Sequence, residues 1–193
     1  MIIPREFYKG DTVSIAEKLL GQILVRETPE GITKGIIVET EAYMGEIDDA
    51  AHSYKGKRDR VKVQYGEKGL AYIYMIYGMH YCMNITSGVE GKPEAILIRA
   101  LEPYEGIELM KTRRNTDKLR NLMSGPGKLC KAMAIDKTLY GADLCTKESG
   151  IWLEYGDKPV ETECSKRIKI DYAELCRDKL WRFTVKDNKF ISK

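Results

Sequence analysis

Three groups of residues in this chain have the types and spacing for chemistry. Glu39, Glu41 and Tyr43 alternate within Ile36-Ile37-Val38-Glu39-Thr40-Glu41-Ala42-Tyr43, so along an extended strand the three side chains share one face. A carboxylate beside an aromatic ring suits a pocket in which the ring stacks on a flat ligand while the carboxylate activates water. A salt-bridged sheet surface is the alternative for the same pattern. Arg99 stands inside the apolar run Ala95–Leu101 and must find an acidic partner or reach water, with Glu39 and Glu41 as candidates. Such a pairing keeps a carboxylate ionised and therefore basic. The third group is Tyr77 in Ile76-Tyr77-Gly78-Met79, a bulky ring where turn chemistry favours small polar residues. A ring there either packs beneath another loop or inserts into a partner, as wedges do between base steps and as residues do that replace an extruded base.

Weaker signals surround these. Basic residues recur at Lys55–Lys62, which includes Arg60, and at Lys111, Arg113, Arg114, Lys118 and Arg120. They suit phosphates, although a charge run also serves as a solvated face. Ser124-Gly125-Pro126-Gly127-Lys128 precedes an apolar-periodic stretch, a place where free N–H groups and Lys128 would favour an anion, but it lacks the Walker A spacing. His52, in Asp49-Ala50-Ala51-His52-Ser53, is a lone histidine of the kind that is usually structural, and Tyr74 could join Tyr43 as a second stacking ring, although a strand tyrosine more often belongs to the core or a sheet face.

The elements that must position these residues are legible from pattern. A helix is expected from Asp11 as N-cap through Leu20, stopped by Gly21. Strands are expected at Gln22–Arg26 and Gly35–Tyr43, with a turn at Thr28–Gly31 between them. In the second strand Ile36, Val38, Thr40 and Ala42 should face one way, and Ile37, Glu39, Glu41 and Tyr43 the other. Met44–Gly69 reads as a long irregular segment, and such segments are commonly functional. Leu70–Ile76 and Met79–Thr86 flank Tyr77-Gly78 as a hairpin. Ala95–Leu101 follows as a strand, then helices at Glu105–Asn115 and from Pro126 through Ile135. Short strands are expected near Ile151–Glu154, Arg167–Ile170 and Trp181–Val185. The fold class is α+β: one mixed domain over 1–193 with a curved antiparallel sheet, peripheral helices and a protruding β-hairpin, without βαβ alternation.

The totals set bounds. A length of 193 residues with 43% hydrophobic content suits a folded globule. The net charge is only +3, from 32 basic and 29 acidic residues, so any nucleic-acid surface must concentrate its cations locally. Five cysteines include no C-x-x-C pair and match no common zinc set; free thiols in a reducing compartment are expected, with no metal and no cofactor. The N-terminus has no signal-peptide pattern and no apolar run reaches membrane length, so a cytoplasmic protein without membrane contact is expected.

Taken together, the segments resemble the alkyladenine (3-methyladenine) DNA glycosylase family. The carriers are Val38-Glu39-Thr40-Glu41-Ala42-Tyr43, Ala50-Ala51-His52-Ser53, the run Tyr72–Asn84, Ile98-Arg99-Ala100-Leu101-Glu102-Pro103, Ser124–Cys130 and Leu180-Trp181-Arg182-Phe183, over about Phe7 to Val185. The resemblance implies a monofunctional base-excision-repair enzyme that extrudes alkylated or deaminated purines from duplex DNA. It implies Glu41 as the base that activates water, with Arg99 beside it. Tyr43, Ala50, His52 and Tyr74 would hold the extruded base, Asn84 would crowd the amino group of normal guanine, and Met79 and Cys82 would lie close by. Tyr77 would fill the gap left in the helix, and Arg60, Lys62, Arg113, Arg114 and Lys128 would hold DNA phosphates. Where family members often carry Thr-Pro-Arg-Asn, this chain has Arg58-Asp59-Arg60-Val61, and Gln64 replaces a common apolar residue. A lesion-binding module without catalysis and a hydrolase of free nucleosides are the alternatives. The first has no use for a water-activating pair, and the second none for a wedge at Tyr77.

Overall fold

The computed structural model describes residues 1–192. Helix α1 (Thr12–Lys18) starts where the side chain of Asp11 accepts from Ser14 N at 2.8 Å, the N-cap read from sequence. Eight strands follow the hydrophobic runs: β1 (Ile23–Thr28), β2 (Gly31–Tyr43), β3 (Ala71–Ile76), β4 (His80–Ser87), β5 (Glu94–Glu105), β6 (Ile151–Glu154), β7 (Thr162–Ser165) and β8 (Arg182–Val185). Two further helices, α2 (Ile107–Arg114) and α3 (Pro126–Ala132), fall between β5 and β6. All strand pairs are antiparallel, in the order β3-β4-β5-β2-β1-β6. One edge of β2 pairs with β5 from Lys34 to Tyr43, while its other edge is shared by β1 and then β8, which also carries β7. The α+β class and the antiparallel sheet with a hairpin are as expected from the pattern.

The two faces of the sheet are covered differently. Ile15 and Ala16 of α1, Met110 of α2 and Leu129, Cys130 and Ala132 of α3 pack on one face against Ile37, Ala42, Ile73, Met83, Ile85, Ile96, Ile98 and Leu101. The other face is covered by irregular chain, where Ala50 packs with Ile170 and Ala173, and Val61 with Tyr72 and Ala95. The candidate site lies under this second cover.

The simple alternation expected for β2 does not hold. Ile37 and Ala42 both join the main core, and Thr40 donates to Ala16 O of α1 at 2.8 Å, whereas Val38 packs on the opposite face with Ala100 and Phe190. The cause is a pair of offsetting register shifts. Ile37 opposes Leu101 and Glu39 opposes Ala100, leaving Val38 as an extra residue on β2; Thr40 then opposes Ile98, leaving Arg99 as an extra residue on β5. Such bulges turn consecutive residues to one face and re-aim side chains. Here they place Val38, Glu39, Glu41 and Tyr43 on the face with Arg99.

Four other expectations need correction. No strand forms at Arg167–Ile170; the late strand is β7, because Arg167 is drawn into a buried ion pair and Lys169 has a left-handed backbone, φ 59°. β4 begins at His80, since Ile76 pairs with His80 and leaves a three-residue loop. β5 runs on to Glu105, so α2 starts two residues later than expected, behind Gly106 at φ 74°. The helix begun at Pro126 ends at Ala132, before Ile135.

Candidate active site

Glu39 and Glu41 have no exposed surface, so the salt-bridged-surface reading of this stretch is excluded. Buried carboxylates demand partners, and each oxygen has them. Glu39 Oε1 accepts from Arg99 Nε at 3.0 Å, Arg182 Nε at 2.8 Å and Ser192 Oγ at 2.8 Å, and Oε2 accepts from Ser192 N at 2.6 Å. Glu41 Oε1 accepts from Ile168 N at 2.7 Å, and Oε2 from Tyr43 Oη at 2.9 Å and Arg99 Nη1 at 3.3 Å. The two carboxylates are thus balanced by two guanidiniums, and Arg99 pairs with both candidates rather than one. Burial works against the charge of Arg99, but the carboxylates of Glu41 and Glu39 outweigh it and hold its pKa above the usual range. Burial first, then the charge of Glu41, pushes the Tyr43 hydroxyl well above its ordinary pKa, so it remains a donor to Glu41.

Tyr43 also lines an aromatic slot with Ala50, His52, Tyr74 and Asn84. His52 meets Tyr74 edge-on, with centroids 4.5 Å apart at 81°, and Tyr72 lies 5.5 Å from Tyr74. His52 Nδ1 is 2.9 Å from Tyr72 Oη. Burial, helped by Arg60 and Arg58, lowers the His52 pKa to about 4, so the ring is neutral at pH 7. Asn84 is fixed by a bond from its Nδ2 to Tyr72 O at 3.1 Å. The slot is small, with a cavity volume of about 50 Å³.

The structure brings five of the seven expected pocket residues together in this slot. Cys82 is one step removed: it opposes Tyr74 across the β3–β4 pair and is buried, which raises its thiol pKa. Met79 is not in the slot; it lies 71% exposed at the hairpin tip beside Tyr77, which is 77% exposed. Tyr77 therefore does not pack beneath a loop. It holds φ 53° and Gly78 φ 67°, with Met79 N donating to Ile76 O at 3.3 Å. Positive φ at both central turn residues matches strand twist, but for a tyrosine it costs on the order of 1 kcal/mol. Among the phosphate candidates, Arg60 lies over the Tyr74 ring at 5.1 Å and Lys62 is exposed in the 3-10 segment Asp59–Tyr65. Arg114 and Lys128 line one open cavity. Arg113 does not join them, because its guanidinium is held by Glu30 at 2.7 Å, Thr28 and Ala132 O.

Several residues escaped the sequence reading. Arg167 has no exposed side-chain surface and forms a two-point pair with Asp48 at 2.6 and 2.8 Å. Its guanidinium lies between the Tyr43 and Trp181 rings, at 4.6 and 5.0 Å. Asp48 in turn accepts from Met44 N and Ala50 N, so this pair holds the back of Tyr43 and the Ala50 wall together. Tyr172 Oη donates to Ala50 O at 3.0 Å, and Gln64 closes another side of the slot. Asp48, Asp49 and Cys176 offer donor atoms within 4.8 Å of one another, but Asp48 is engaged with Arg167 and Asp49 with the N–H groups of residues 174–176. No local pattern marks Arg167 and Tyr172, whose partners lie more than a hundred positions away in sequence.

A model of one family, described as methylpurine-DNA glycosylase, matches residues 6–189. The chain belongs to the methylpurine-DNA glycosylase family. Family members hydrolyse N-glycosyl bonds in DNA, as a step of DNA repair. The chain is 50% identical to a protein of Clostridium tetani over the full length of both, and 46% identical to one of Desulfitobacterium hafniense over 97% of each. Another, from Alkaliphilus oremlandii, is 46% identical over the full length of both, and all three carry the name "Putative 3-methyladenine DNA glycosylase". For this glycosylase, the buried acid–arginine pair and the aromatic slot lie on adjacent strands of one sheet, joined by Tyr43. No helix among the described residues is long and apolar enough to cross a membrane.

Proposed function

We propose that the chain is a monofunctional DNA glycosylase, folded as one domain. It extrudes 3-methyladenine, 7-methylguanine, hypoxanthine or ethenoadenine from duplex DNA and hydrolyses the N-glycosidic bond with water activated by Glu41. The observation that carries the reading is the placement of Glu41: fully buried, held at both oxygens, and linked through Tyr43 to the slot. The base enters between Tyr43 and the His52–Tyr74 pair. Ala50 and His52 contact its edge, and Asn84 limits the space for an exocyclic amino group. Tyr77 fills the gap in the duplex, at a flipping cost of a few kcal/mol that is smallest for a damaged base.

The reacting bond then faces the acid. Departure of the base leaves positive charge on the sugar, which a fixed carboxylate and nearby phosphates stabilise without reorganisation. Attacking water takes over the contact between Glu41 Oε2 and Tyr43, gives its proton to that oxygen and adds to C1′. Arg99 keeps the carboxylate charged before the step. Stacking against Tyr43 and Tyr74 favours cationic alkylated rings through cation–π attraction. A monomer acting on double-stranded DNA is the simplest assembly.

The test is a duplex with one hypoxanthine or ethenoadenine, incubated with the protein and then treated with alkali. Strand breaks only after alkali are expected. No break with any alkylated or deaminated purine defeats the proposal, and tight lesion binding without release would identify a binding module instead.

A further inference from the structure

A cavity of about 660 Å³ lies between the base of the β3–β4 hairpin, the start of α3 and the C-terminal segment. Seven cationic side chains line it and no carboxylate does, in a chain whose 32 basic and 29 acidic residues nearly cancel. Three of the seven have internal partners. Arg99 serves the buried acids, Arg114 donates to Leu122 O and Asn121 O, and Lys128 donates to Asn121 Oδ1 and Ser124 Oγ. The other four, Lys118, Arg120, Lys131 and Lys169, are exposed and form no ion pair among the described residues. Like charges gathered without counter-charges repel one another, so the arrangement is favourable only when an anion joins it.

Lys169 adds a second, independent observation. Its backbone is left-handed, φ 59°, a conformation that glycine adopts freely and a residue with a Cβ adopts at a cost. Strain of this kind persists only where the surrounding structure imposes it, and it clusters at active sites and ligand clamps. Lys169 directly follows Ile168, whose N–H holds Glu41, and it shares the cavity with Arg99. On the far wall, Gly127 brings α3 so close to the hairpin that a Cβ there would stand 3.1 Å from His80 Cβ. The cavity thus reaches from His80, at the root of the Tyr77 hairpin, to Arg99, which pairs with Glu41.

We infer that this cavity seats the phosphodiester backbone of the strand carrying the extruded nucleotide, and that Lys169 clamps the phosphate beside the reacting sugar. The inference rests on the glycosylase reading for which strand lies there, but its charge argument does not need catalysis. An acidic protein surface would also meet cations. Its position between the hairpin root at His80 and Arg99, the partner of Glu41, favours a nucleic-acid backbone, which must pass from the finger to the acid.

The experiment measures binding of undamaged and hypoxanthine-containing duplexes across a salt series for the full chain, for Lys169→Gln, for Lys169→Gly and for Lys118→Gln/Arg120→Gln/Lys131→Gln combined. Each cation that holds a phosphate should lower the slope of log K against log [salt] by about 0.9 when removed. Both duplexes should weaken alike, since backbone contacts carry no base information. Lys169→Gly should bind more weakly yet unfold at a higher temperature, by up to about 3 °C, because the backbone strain is gone. Unchanged slopes in all variants overturn the assignment, and a lower unfolding temperature for Lys169→Gly overturns the strain argument. Base release by the unaltered chain keeps the two readings apart: release with unchanged slopes defeats the cavity assignment alone, and the expected slopes without release defeat the glycosylase reading alone.

Discussion

The acid floor and the finger-and-cavity face meet at Arg99, which lines the cavity and pairs with both acids, but they are built on opposite terms. Beneath Tyr43, every carboxylate oxygen of Glu39 and Glu41 already has a partner within the protein. Along the finger and the basic cavity, Tyr77 and Met79 stand in solvent and four cations have no counter-charge among the described residues. The first region is complete without DNA and the second is not. A reaction that develops charge needs groups fixed in advance, whereas a surface that scans a polyanion needs groups free to meet it.

The largest test of this contrast is Glu41→Gln. It keeps the shape of the floor and removes the base. The single-turnover rate of hypoxanthine release should fall about 10²–10⁴-fold, with lesion binding retained; a rate within a few-fold of the original would remove Glu41 from the chemistry. Next is Arg99→Leu, which leaves two buried carboxylates short of a cation. Urea unfolding at pH 7 should show a loss of about 3–5 kcal/mol, and a loss under 1 kcal/mol would mean that Arg182 and Ser192 suffice.

The slot gives a pH signature. His52 titrates near 4 when folded and near 6.5 when unfolded, so the unfolded chain binds the extra proton first as pH drops. This group therefore leaves stability unchanged above pH 6.5 and lowers it by about 3 kcal/mol in all as pH falls from 6.5 to 4. His52→Gln should flatten the stability profile in that window; an unchanged slope would assign it to other groups. The smallest effect belongs to Tyr77→Ala. Loss of one stacking ring should cost about 1–2 kcal/mol, or roughly tenfold in lesion affinity, with folding stability altered by less than about 0.5 kcal/mol. A large loss of stability would show that the finger is part of the fold.

Most of the sheet and the residues of the floor were legible in the chain. Periodicity located β2 through β5, the Asp11 cap and the Tyr77-Gly78 turn because those signals are local. Arg99 announced its own need for a partner by lying in an apolar run. The exposure of Tyr77 and the absence of Met79 from the slot were not legible, since a turn motif does not say what stands above it. Arg113 and Arg114 are neighbours in sequence, yet one is tied to Glu30 and the other lines the basic cavity.

Residue type and spacing alone determined that an acid, an arginine and a set of aromatic rings would share strands of one antiparallel sheet. Only the tertiary structure decided that Glu39, Glu41 and Arg99 face one another, because that depends on bulges in two strands whose partners are some sixty residues apart. It also decided the role of residues 167–172, which reach Glu41, Asp48, Tyr43 and Ala50 from the far end of the chain. Contacts over such separations leave no periodic trace. They are set by which groups burial forces to find a partner once the sheet has closed.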